Sequence, residues 1–133
     1  MATPEFIVAL RKKIGHDLLW LPGVSLVVVD DDGRLLLGRR SDNGQWAVIA
    51  GVGADKPFAF PNGDNCAFMD ITFVGRPRPG AAAHAHAADE ESTQVGWFHP
   101  DSLPEPLAAS SPARIQAALA WLADPTSGAR FQL

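Results

Sequence analysis

Gly33-Arg-Leu-Leu-Leu-Gly-Arg-Arg-Ser-Asp-Asn-Gly-Gln-Trp-Ala-Val-Ile-Ala-Gly51 is the stretch on which the fold turns. Arg34 to Leu37 is an apolar run behind one arginine, Ser41 to Gln45 is a polar loop, and Trp46 to Ile49 is a second short apolar run. The pattern predicts strand, turn, strand. Just upstream, Val24 to Val29 is apolar and β-branched, and Asp32-Gly33 stands between it and the next run. Asp-Gly in that position is a strong hairpin signal, because the favoured tight turn needs positive φ at its centre. Asp30, Asp31 and Asp32 share this turn and read as a solvated loop in preference to a cation cage.

Outward from this centre, a second hairpin signal, Pro61-Asn-Gly-Asp64, separates Phe58–Phe60 from the run Asn65 to Phe73. Arg76-Pro-Arg-Pro-Gly80 and the alanine-rich tract to Ala88 predict a long loop of biased composition. His84 and His86 in that tract form a His-x-His pair with no Cys or third His nearby, a poor zinc site. Val95 to Phe98 is a short strand in which Trp97 and Phe98 must face opposite sides. At the N-terminus, Thr3-Pro4-Glu5 offers a capping hydroxyl, a proline for the first turn and an acid at the positive helix end. Gly15 closes that helix. At the C-terminus, Ser110-Ser-Pro opens a helix with an apolar stripe of Ile115, Leu119 and Leu122, and Asp124-Pro125 ends it.

The chain has 133 residues, of which 47% are apolar and 20% charged, enough for one domain with a real core. A net charge of −4 gives no electrostatic basis for binding a nucleic-acid polymer, although a small nucleotide needs only a local pair of cations. The lone Cys66 cannot form an internal disulfide and reads as a small core residue. No apolar run suits a signal peptide or a membrane span, so a cytoplasmic protein is expected. Helix, hairpin, strand, hairpin, strand, helix suits an α+β fold, a mixed sheet with flanking helices in α/β/α layers.

Four motifs narrow the reading: Leu18-Leu-Trp-Leu-Pro-Gly-Val24, Leu36-Leu-Gly-Arg-Arg40, Gly44-Gln-Trp-Ala47, and Glu90-Glu-Ser with Val95-Gly-Trp-Phe98. In this order they resemble the Nudix hydrolases. The resemblance implies one truncated Nudix-like domain over residues 1–133, with a core at about 17–104 and a C-terminal helix at about 111–123. The family's activity is hydrolysis of nucleoside diphosphates linked to a group X. It is carried by the box G-x5-E-x7-R-E-U-x-E-E-x-G-U, with U apolar. Most of that box is a loop and helix whose carboxylates share one face and hold Mg²⁺ against the pyrophosphate.

That helix has no place here. The stretch Val52 to Phe60 directly joins the strands that flank the helix in the family, and it holds one acid, Asp55, with Lys56-Pro57 after it. The whole chain has the glutamates Glu5, Glu90, Glu91 and Glu105 and no Arg-Glu dipeptide. A helix interior with Pro57, Pro61 and Gly63 is untenable. The expectation is a Nudix-fold protein deficient in catalysis, with no cofactor, no metal site and a degenerate active site. Two alternatives stand beside it. In one, a pyrophosphohydrolase uses Mg²⁺ with Glu90 and Glu91, since some family members place an assisting acid in the loop before this strand. In the other, the chain is a non-enzymatic module that binds a nucleotide or a protein. Arg39, Arg40, Trp46 and Phe60 are the candidate nucleotide contacts, the arginines for phosphate and the rings for a base. Core or rim packing explains the two rings more simply. Losing a helix layer leaves apolar surface worth roughly 1.5–3 kcal/mol per large side chain without cover. Such an uncovered sheet face would favour self-association or the docking of a partner chain.

Overall fold

Strand β1 (Leu19–Val29) is the spine of a six-stranded mixed sheet of order β4-β5-β1-β3-β2-β6. The other strands are β2 (Leu35–Arg40), β3 (Trp46–Gly51), β4 (Phe58–Ala59), β5 (Asn65–Gly75) and β6 (Ser92–Phe98), with helices α1 (Glu5–Ile14) and α2 (Ser111–Ala123). The computed structural model describes residues 3–51 and 57–129. The expectation about Val52 to Phe60 falls partly on residues 52–56, which lie outside the described residues. The α+β architecture, a mixed sheet with two helices, is present. No described helix is long and apolar enough to cross a membrane.

Alternation along β1 decides which face is core. Val27 and Val29 are buried, as are Leu35 and Leu37 of β2 and Val48 of β3. All five pack with Ile115 and Ala118 of α2 into one cluster, flanked by Trp46, Phe98, Leu119 and Leu122. The C-terminal stripe read from the sequence is therefore the side of α2 that meets the sheet. Phe98 stands edge-on to Trp46, ring centroids 5.0 Å apart, and Gly96 makes room for it: a Cβ there would lie 2.9 Å from the Phe98 ring.

The strands run further than the sequence predicts. β1 starts at Leu19, not Val24, and pairs in parallel with β5 from Leu19↔Cys66 to Val28↔Gly75. It accepts Pro22 because the β3 register reaches β1 only at Ser25, so the missing N–H at Pro22 breaks no ladder on that side. At α1 the expected Thr3 cap is not used. Pro4 is the cap residue, and its carbonyl accepts the N–H groups of Ile7 and Val8 at 3.0 and 3.2 Å. None of α1 is buried. It is tied to the start of β5 by Arg11, which donates to the Asn65 carbonyl at 2.8 Å and to the buried Cys66 Sγ at 3.3 Å.

The alanine-rich tract is less irregular than expected. Ala81–His84 is a 3-10 turn laid against β6, and the Trp97 indole N–H donates to the Ala82 carbonyl at 2.9 Å.

Candidate functional site

The β1–β2 turn corrects the reading of its three aspartates. Asp31 and Asp32 face water, but Asp30 is 4% exposed. Its carboxylate accepts the backbone N–H groups of Asp32 and Arg34 at 3.0 and 2.8 Å and the Arg34 guanidinium at 2.8 Å. Burial by itself pushes the Asp30 carboxyl up. The N–H and guanidinium of Arg34, with the N–H of Asp32, outweigh it and hold the group below its usual value. This aspartate is the internal peg of a hairpin.

Five of the six candidate residues lie at one corner of the sheet. Arg39 pairs with Trp46 across β2 and β3 and with Gln94 across β2 and β6, while Arg40 pairs with Ser92. Glu91 closes the corner, its carbonyl accepting the Ser41 N–H at 2.9 Å. Glu90 is exposed beside it. Arg39 and Arg40 are consecutive in a strand, so their side chains leave on opposite faces and do not form one phosphate clamp. Arg39 donates to the Gly44 carbonyl at 3.2 Å and reaches Gln94 at 3.5 Å. Arg40 forks onto Asp42 at 2.9 and 2.6 Å. That fork, with the nearby charge of Glu91, raises Arg40 above its usual pKa, and the same fork lowers Asp42. Trp46 packs against the core. Phe60 lies apart. It comes just after β4 at the far edge of the sheet, beside the start of β5, with its N–H bonded to the Asp64 carbonyl at 2.9 Å.

Mg²⁺ requires several oxygen donors converging on one point. Among the described residues no three His, Cys, Asp or Glu side chains come together in that way. At the corner, Asp42 is held by Arg40 and Glu91 adds to the same cation, so this donor set does not fit a divalent ion. His84 and His86 do not converge either: the His86 Nδ1 lies 2.8 Å from the backbone carbonyl of His84.

Two constellations escaped the sequence reading. One is a polar joint under α2. Asp70 of β5 accepts the Arg114 Nε–H at 2.9 Å, the Ser25 hydroxyl at 3.0 Å and the Thr72 hydroxyl at 3.1 Å. An arginine one turn before Ala118, on the buried side of the helix, was its only trace in the sequence. The other is a cleft of about 450 Å³ between the 3-10 turn and β6, walled by Arg34, Ala82, Ala85, Val95 and Trp97. The cation in its wall, Arg34, is already engaged by Asp30 and Asp32.

No family model matches this chain, and no curated protein does. Among solved structures it is similar to the MutT Nudix hydrolase from Burkholderia pseudomallei, with a TM-score of 0.46 and 16% identity over 72% of this chain and 97% of that one. It is also similar to RenU, a Nudix hydrolase from M. smegmatis, with a TM-score of 0.44 and 15% identity over 84% of this chain and 88% of that one. These are likenesses of fold, and they assign no residue a role.

Proposed function

We propose that this chain is a Nudix-fold protein that no longer cleaves phosphoanhydrides. The observation that carries the reading is the connection after Gly51. β3 ends there and β4 begins at Phe58, leaving a few residues where the family box needs a loop and a helix. Hydrolysis of a pyrophosphate at neutral pH needs its charge neutralised and a water made nucleophilic, and a carboxylate-held Mg²⁺ supplies both in the family. Without the acidic helix this task falls to the remaining described carboxylates, several of which are already paired. Asp30, Asp42 and Asp70 are each held by an arginine in the hairpin, the corner and the α2 joint. Freeing any of them for a metal breaks an existing ion pair.

The deciding experiment is a hydrolysis panel of nucleoside di- and triphosphates, ADP-ribose and dinucleoside polyphosphates, with Mg²⁺ or Mn²⁺. No turnover above a heat-treated control is expected. Turnover abolished by Glu90→Gln or Glu91→Gln would overturn the reading in favour of an enzyme with other metal ligands. Calorimetric binding of a nucleotide without turnover would keep the catalytic loss and assign a binding role.

A further inference from the structure

The face of the sheet opposite α2 carries a continuous apolar strip. Trp20 and Val24 of β1 and Met69, Ile71 and Phe73 of β5 are each between 53% and 67% exposed. Alternation puts them all on that one side, since their strand neighbours Ser25, Val27, Asp70 and Val74 face α2. The parallel register sets Val24 beside Ile71, Pro22 beside Met69 and Leu26 beside Phe73, so the strip is two strands wide without a gap. None of these side chains is ionisable. Exposed sheets of stable monomers usually interrupt such a face with lysine or another charge. Here no charge interrupts it.

We propose that this strip docks a second copy of the chain, sheet face on sheet face. The strip has no charge with which to recognise a phosphate, a nucleic acid or an anionic lipid, whereas an uncharged apolar surface is complementary to itself. A two-fold axis then sets the same strip on both sides of the contact. The area reaches what a weak, reversible dimer needs. Five such half-exposed side chains present about 500 Å² per copy, and the pair of strips together about 1,000 Å², the size of a weak or transient interface. Face-to-face sheets pack roughly 10 Å apart at a small angle, a geometry that lets large side chains from the two strips interdigitate. The proposal is independent of the catalytic one, since mass and turnover are read by separate assays.

Sedimentation velocity across a wide concentration range tests it. A reversible dimer is expected, with Ile71→Lys shifting the midpoint to at least roughly 100-fold higher concentration, as for a charge placed at the centre of an interface. Near-UV circular dichroism checks that the variant keeps its tertiary structure, and Gln94→Lys, on β6, should leave the dimer intact. Should Ile71→Lys fail to fold, the milder Met69→Gln serves, with a smaller shift in the same direction. A monomer at every concentration overturns the proposal, including a monomer that acquires another occupant such as a lipid vesicle. So does a dimer that the folded strip variants leave unchanged.

Discussion

Asp30 has left water and kept its charge, and that combination has a measurable consequence. Because its folded-state pKa lies below the usual 3.8, the stability it contributes is fully present above that value. It is lost as pH falls through the lower folded-state value. Urea midpoints measured downward from about pH 5 should therefore fall more steeply for the native chain than for Asp30→Asn. At neutral pH that substitution should cost about 2 kcal/mol, the loss of charge-assisted bonds at a buried site. Arg40 and Asp42 make the contrast. Their pair is exposed on both sides, so Arg40→Ala should change stability by less than about 1 kcal/mol. The sequence put Asp30 in the right turn but could not separate it from Asp31 and Asp32. Three consecutive identical residues carry no pattern, and only the path of β1 into the core decides which one turns inward.

Between elements, two contacts set the packing of α2 and β6 on the sheet. Gly96 leaves room for the Phe98 ring, which in turn meets Trp46. Gly96→Ala would force that ring aside and should lower stability by about 1–3 kcal/mol, read as a shift in the urea midpoint with an unchanged slope. The Asp70–Arg114 joint anchors the helix to β5 beside the apolar cluster. Arg114→Met should cost roughly 3 kcal/mol because it leaves a largely buried carboxylate with hydroxyl donors but no cation, and adding Asp70→Val should recover part of the loss. The hairpins at Asp32-Gly33 and Asn62-Gly63 were legible in advance, since Gly33 and Gly63 adopt the positive φ such turns require. The Asp70–Arg114 joint was not, because its partners are far apart in the chain.

Across the whole molecule, the two helices carry unequal weight. α2 covers the core, whereas α1 buries none of its residues. Removing the chain from Ser110 onward should abolish cooperative unfolding. Removing residues through Leu10, which spares Arg11, should leave the cooperative transition intact, with a loss of no more than about 1–2 kcal/mol. Thermal unfolding monitored by circular dichroism separates the two outcomes. The asymmetry also leaves one sheet face apolar and uncovered, the surface on which self-association is proposed.

The sequence by itself determined the two hairpins, the presence of the two terminal helices and the apolar stripe by which α2 meets the sheet. These depend on neighbours in the chain, on period and on turn chemistry. Only the tertiary structure decided the parallel pairing of β1 with β5, the burial of Asp30, the joint at Arg114, and the separation of Phe60 from Arg39, Arg40 and Trp46. Strand order and facing depend on which distant segments share a ladder, and one strand's alternation does not name its partner.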